Sequence, residues 1–249
     1  MNLVKKVRRM ADAGAIVDLN QPCFLLFGDS RSGKTAMVKH LVRCIICKRL
    51  DEQTFDPCDG SCEACRQRPE LSGLQGLQAS LAAYGPDGKE SIPIQFAVVD
   101  CTLIHTPEQL RDHLVSMSNE SGGIRIFYFD EVHRLTKRGM DEMLLKAVED
   151  KEAIWFFSTA KPDGLEDMFL NRLLKLGTEP PSEEEMACWL ADRCNDWGIR
   201  AEPEAIMRVV EKSNRVVGTA LHALAQASLD DDEGLTLDFV EEDWVVKLD

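Results

Sequence analysis

The chain has 249 residues, 44% of them hydrophobic and 29% charged, with a formal net charge of −14. That mix excludes a disordered chain, and no apolar run approaches the roughly 20 residues needed to cross a bilayer. The acidic balance excludes a protein coated in nucleic-acid-binding charge and leaves room only for a local basic surface. The N-terminus lacks the apolar stretch and small-residue cleavage site of a signal peptide. A cytoplasmic protein is therefore expected, with its nine cysteines reduced.

Lys5, Lys6, Arg8 and Arg9 alternate with Val4, Val7 and Met10 at helical spacing and read as a first helix with a solvated basic face. Cys23 to Phe27 is a short apolar run and predicts a buried strand. A helical stretch follows from Gly33 to about Lys48. Residues 49 to 92 are rich in Gly, Pro and Cys and read as an irregular insertion. Ile94 to Val99 predicts a second strand, and Thr106 with Gln109 a capping box with Pro107 at the first helical position. Ser121-Gly122-Gly123 ends that helix, and Ile124 to Phe129 is a third strand. Gly139 to Asp150 carries Met143, Leu144, Ala147 and Val148 on one helical face. Ala153 to Ser158 and Leu173 to Leu176 complete the strands. Strands alternating with helices predict an α/β fold with a parallel sheet covered on both faces.

Pro180-Pro181 breaks this pattern, and Ser182 with Glu185 is a second capping box. Met186 to Trp197, Glu204 to Ser213 and Gly218 to Leu229 then read as three helices. The expected organisation is a nucleotide-binding domain over 1–178, a helical domain over 179–229 and an acidic tail over 230–249. That tail holds nine acidic residues and one lysine. Leu235, Leu237, Phe239, Val240, Trp244, Val245 and Val246 punctuate it, which predicts a docked segment or a partner-binding peptide.

Gly28-Asp29-Ser30-Arg31-Ser32-Gly33-Lys34-Thr35 fits G-x-x-x-x-G-K-[ST], with an apolar strand directly before it and an amphipathic helix directly after. Glycines let backbone N–H groups converge on phosphate oxygens. The helix N-terminus points its positive end at the same anion. Lys34 is placed to reach the β- and γ-phosphates, and Thr35 to put a hydroxyl on Mg²⁺. Ile126 to Phe129 ends in Asp130 and Glu131. The first carboxylate, expected beside the opening strand, would hold the Mg²⁺ water shell. The second would orient and deprotonate an attacking water. Together the two elements predict an ATP or GTP site.

Cys47, Cys58, Cys62 and Cys65 are spaced C-x10-C-x3-C-x2-C, and thiolates so placed can converge on a tetrahedral Zn²⁺. Asp56, Asp59, Gly60, Ser61, Glu63 and Arg66 around them are small or polar, so a metal would hold the shape that a core cannot. A four-thiolate set leaves no open position and reads as structural, with Cys44 an alternative to Cys47. Cys23 and Cys101 read as core thiols.

These stretches together resemble the AAA+ family, and within it the clamp-loader subunits of bacterial DNA polymerase III of gamma/tau type. Cys47 follows Lys34-Thr35 at the interval where the zinc module of those subunits begins, giving a module over about 44–68. Asp130 to Leu135 resembles their Walker B segment, and Asp141 to Asp150 the helix that follows it. Phe156 to Pro162 resembles the sensor 1 strand, Phe169 to Arg172 the segment carrying the arginine finger, and Pro181 to Glu185 the opening of the lid. The resemblance covers residues 20 to 229 and implies an oligomeric Mg·ATP-dependent ATPase. Arg172 would act in trans on a neighbour's γ-phosphate, and Thr159 or Ser158 would be sensor 1. Copies of the chain or sister AAA+ subunits, DNA and DNA-bound proteins are the implied partners, with no membrane. Lys137 and Arg138 are candidates for contacts to duplex phosphates.

The chain also departs from the family pattern. Ala160 stands at the sensor 1 position when aligned on Pro162, and Leu221 stands where the sensor 2 arginine belongs. One cysteine gap is a residue longer than usual, and the acidic tail stands where a collar domain is expected. These departures favour an alternative: an ATP-binding scaffold or switch with little hydrolysis, in a mobile-element, phage or defence complex. Asp130-Glu131-Val132-His133 also matches the D-E-x-H of helicases, but the three helices after the sheet supply no second motor domain.

Overall fold

In the computed structural model the described residues are 23–47, 49, 51, 58–59, 61–62, 65, 78–84, 91–116, 124–136, 138–149, 153–229 and 234–244. The basic N-terminal stretch, most of the polar residues between the cysteines, Lys137, and Val245 and Val246 lie outside them. The chain divides into two units, one holding residues 34–177 with the first strand, the other residues 28–33 with 178 onward.

The first unit is built on a six-stranded sheet. Its strands are β1 (Cys23–Phe27), β2 (Gln78–Tyr84), β3 (Ser91–Asp100), β4 (Ile124–Asp130), β5 (Ala153–Thr159) and β6 (Leu174–Gly177), in the order β2-β3-β4-β5-β1-β6. Every pair but β2–β3 is parallel. Parallel strands bury both faces, so they read as unbroken apolar runs. β5 is buried at all seven positions and β1 at its first four.

The helices of this unit are α1 (Lys34–Ile46), α2 (Pro107–Ser116), the single turn α3 (His133–Thr136), α4 (Asp141–Glu149) and the short α5 (Asp167–Leu170). The first capping box is present, with Gln109 N donating to Thr106 Oγ1 and Thr106 N donating to Gln109 Oε1. One face of the sheet carries a row of stacked rings. Phe127 and Trp155 lie 4.3 Å apart at 6°, and Phe157 stands edge-on to Phe169 of α5 at 5.1 Å and 77°. These aromatic pairs fix the lateral placement of β4, β5 and α5, whose ends carry the polar residues described below.

Two expectations are corrected. Residues 49 to 92 are not irregular throughout, because β2 runs antiparallel along the edge of the sheet, from Gln78 opposite Ala97 to Tyr84 opposite Ser91. Its sequence, QASLAAY, has no β-branched residue to mark it. The acid-bearing strand β4 is not beside β1, because β5 pairs with both and separates them.

The second unit contains α6 (Glu183–Trp197), α7 (Pro203–Lys212) and α8 (Val217–Ala227). Ser182 and Glu185 form a complete capping box at the start of α6, and Gly198 closes it at φ 69°. Met186, Leu190, Val209, Val210, Ala220 and Leu224 make the core. The described part of the acidic segment is built into that core through Leu235, Val240 and Trp244. Asp238, Glu241 and Glu242 are exposed, and Glu241 accepts from Arg208 Nε at 2.6 Å.

Candidate functional site

β1 ends at Phe27, and the loop 28–33 carries the chain to Lys34 at the head of α1. Gly28 has φ +152°, and a Cβ there would lie 2.9 Å from the Thr178 carbonyl, so only glycine fits. Arg31 and Gly33 also have positive φ, at 62° and 92°. Within the second unit the loop is tied down twice. Ser32 Oγ is 2.7 Å from Thr178 Oγ1, and Gly218 N donates to Arg31 O at 3.1 Å. Gly218 admits that approach because a Cβ would lie 2.7 Å from Arg31 Cβ.

In the first unit Lys34 is buried. Thr35, next in α1, is joined to the acidic end of β4 by a row of side chains. Thr35 Oγ1 lies 3.0 Å from Tyr128 Oη, and Tyr128 Oη lies 3.0 Å from Ser158 Oγ. Ser158 Oγ donates to Asp130 Oδ1, which also accepts from Glu131 N at 3.1 Å. Tyr128 and Asp130 are two apart on a strand and so share a face. Burial and the nearby Asp130 carboxylate push the Tyr128 phenol well above its usual range, so it remains a protonated hydroxyl at neutral pH.

Glu131 leaves the strand with φ +56°, a left-handed conformation rare for a non-glycine residue. Val132 N donates to Ser158 O at 3.0 Å and fixes the turn. His133, buried, places Nδ1 at 3.2 Å from Glu131 Oε2 and at 2.9 Å from Thr159 Oγ1. Thr159 Oγ1 also accepts from Lys161 N at 3.0 Å. The adjacent hydroxyls at the end of β5 thus diverge, Ser158 toward Asp130 and Thr159 toward His133. Arg172 lies just past α5, with Nη2 and Nε donating to Glu149 Oε1 at 2.7 and 3.0 Å and Nη1 to Met168 O at 2.8 Å. Arg138 is exposed.

The four sulfurs of Cys47, Cys58, Cys62 and Cys65 lie within 4.8 Å of one another. Cys58 N donates to Cys47 Sγ at 3.3 Å and Cys65 N to Cys62 Sγ at 3.4 Å. Sulfurs of a tetrahedral four-thiolate zinc site stand about 3.8 Å apart, and backbone N–H groups aimed at sulfur stabilise thiolate charge. The donor set therefore fits a zinc ion. Cys44 is buried outside this group. Burial pushes the Cys23 thiol up to about 12, as befits a core residue.

Reading the sequence alone missed Tyr128, His133 and Glu149. The available signal was Tyr128 itself, a hydroxyl two residues before Asp130 in a run of apolar side chains.

No family model matches the chain. The tau subunit of DNA polymerase III from Escherichia coli (strain K12) is 24% identical over 233 residues, covering 86% of this chain and 33% of that protein. The chain thus spans about a third of the length of that curated relative. Among solved structures, Thermotoga maritima RuvB, a Holliday junction branch migration motor, superposes with a TM-score of 0.57 at 17% identity. It covers 95% of this chain and 66% of that one. A point variant of the same RuvB gives a TM-score of 0.58 at 16% identity over 96% of this chain and 66% of that one.

The chain has a RuvB-like fold. Its sequence resembles the clamp-loader type. Among the described residues no helix is long and apolar enough to cross a membrane.

Proposed function

We propose that this chain binds Mg·ATP through residues 28–35, hydrolyses it, and assembles as an oligomer to recruit or remodel partners that process DNA. The observation that carries this reading is the polar row in the first unit. It joins Thr35, directly after the phosphate-loop lysine, to Asp130 at the end of an apolar strand. A row of four hydroxyl and carboxyl groups between two sequence motifs, buried at Tyr128 and Ser158 and half-buried at both ends, is costly for a core and apt for a metal–phosphate site.

In this reading the loop N–H groups and Lys34 bind the phosphates, while Thr35 and Asp130 hold the metal and its water shell. Bound Mg²⁺ would supply positive charge to offset that of the phosphates. Glu131 orients the attacking water and takes its proton, and His133 and Thr159 keep the Glu131 carboxylate in place. Arg172 is the finger offered to a neighbour's γ-phosphate. Cys47, Cys58, Cys62 and Cys65 hold a structural zinc, and α6–α8 act as the lid. The relatives, a polymerase subunit and a branch-migration motor, support DNA or a DNA-bound protein as the partner.

A second reading, an ATP-dependent scaffold with little turnover, is favoured by Leu221 in α8 and by the engagement of Arg172 with Glu149 in the same chain.

Native mass measurement of Glu131→Gln with ATP, with and without duplex DNA, tests the assembly. Larger species with ATP support it, and a monomer under every condition overturns it. Lys34→Ala tests the site itself, and unchanged nucleotide affinity would overturn the assignment.

A further inference from the structure

β5 stands between β4 and β1. Neighbouring strands are about 4.8 Å apart, so the acid-bearing strand lies roughly 10 Å from the strand that feeds the phosphate loop. The row Thr35–Tyr128–Ser158–Asp130 spans that distance within the first unit.

The row has a direction. Ser158 Oγ donates to Asp130 Oδ1. A hydroxyl has one proton, so Ser158 must accept from Tyr128. The phenol proton is thereby spent, and Tyr128 Oη must accept from Thr35. The Thr35 proton is drawn into the protein, and its oxygen has only lone pairs left for any other partner. A divalent cation takes oxygen lone pairs and is repelled by a hydroxyl proton.

We propose that Tyr128 is a positioning residue for the cation that accompanies the nucleotide: it accepts the Thr35 proton, presents the Thr35 oxygen as a ligand, and couples that ligand to Asp130 through Ser158. This rests on the nucleotide reading of residues 28–35. Phenylalanine would fill the same space, because Tyr128 is buried, but it cannot accept the proton. The Thr35 hydroxyl would then turn freely and present its proton part of the time.

The test uses the full chain and fluorescent mant-ADP, which is not hydrolysed. Nucleotide binding is titrated without magnesium, and the Mg²⁺ concentration giving half of the magnesium-dependent change is then measured. Tyr128→Phe should leave metal-free binding within twofold of wild type and raise the Mg²⁺ midpoint about five- to tenfold, the loss of one buried hydrogen bond. Ser158→Ala breaks the same row at its far link and should move the midpoint in the same direction. The double variant should be no worse than Tyr128→Phe, because both act through one row. If Tyr128→Phe does not fold, Ser158→Ala carries the test.

An unchanged midpoint in the folded variants overturns the inference and leaves the nucleotide reading standing, as do strictly additive shifts, which mark independent packing defects. A wild-type chain with no magnesium-dependent mant-ADP binding overturns both.

Discussion

The Arg172–Glu149 pair makes the proposed trans role of Arg172 measurable in a single chain. Both nitrogen contacts fall on the same carboxylate oxygen, Glu149 Oε1, so the pair is not a two-oxygen fork. Its side chains are 34% and 52% exposed, which puts it among solvent-screened ion pairs worth about 0.2–1 kcal/mol. If Arg172 must leave Glu149 to reach a neighbour's phosphate, that energy is a cost on every productive encounter. Glu149→Ala removes it and should raise oligomer-dependent ATP turnover by roughly 1.4- to 5-fold, since 1.36 kcal/mol corresponds to tenfold. Glu149→Gln keeps an acceptor and should give a smaller gain. The advantage of either variant should shrink as salt weakens the wild-type pair. The assay is phosphate release across protein concentrations, with nucleotide affinity measured in parallel and Arg172→Ala as the inactive reference. A fall in turnover for Glu149→Ala at unchanged affinity would refute the reasoning and show that the pair holds Arg172 in its working position. Full activity in Arg172→Ala would refute the finger itself.

The remaining expectations concern stability and metal. Trp244 is 2% exposed, and its Nε1 is buried with no hydrogen-bond partner among the described residues. Trp244→Ala should therefore cost about 2–4 kcal/mol, the usual large-to-small penalty less the relief of one unpaired donor, read by chemical denaturation of the second unit. An unchanged unfolding midpoint would show that the acidic segment is not part of that core. Arg208 holds the Glu241 carboxyl below its usual 4.5, so this pair supports the fold fully above that pH and is lost as pH falls through the lower folded-state value. Thermal melts from pH 5 to 3 should show a smaller drop for Glu241→Gln than for wild type, and equal drops would rule the contribution out. Metal analysis should give one zinc per chain, lost in Cys65→Ser, and a zinc-free folded protein would leave the four thiols without a ligand.

What the sequence made legible was local or strongly periodic. The boxes at Thr106 and Ser182 depend on a residue three positions away, and both form as written. The apolar runs of β1, β4 and β5 are buried for the reason that made them visible, coverage on both faces. β2 stayed hidden because its alanines, serine and glutamine carry little strand preference and its pairing is set by β3. Strand order was equally out of reach: alternation of strands and helices implies parallel pairing but leaves open which strand separates β1 from β4. The partners in the polar row inherit that difficulty. Tyr128 and Ser158 are 30 residues apart, Thr35 and Tyr128 93, and only the order β4-β5-β1 brings them together.

That order also explains why the chain spends polar groups and backbone strain where it does. Had β4 lain beside β1, Asp130 could have met Thr35 directly, and an apolar residue at 128 would have served. With β5 interposed, the gap must be crossed in a buried setting, where each unpaired hydroxyl costs about 1–3 kcal/mol. A serine at the end of β5 and a tyrosine on β4 cross it with every donor matched to an acceptor. Glu131 then leaves the strand with its backbone turned left-handed, at a cost of order 1–3 kcal/mol. The bond from Val132 N to Ser158 O and the contact with His133 hold it there. β5 thus braces both carboxylates, with the Ser158 side chain on Asp130, and the Ser158 carbonyl and Thr159 through His133 on Glu131. Two neighbouring hydroxyls at the end of a fully buried strand have that division of labour as their physical reason.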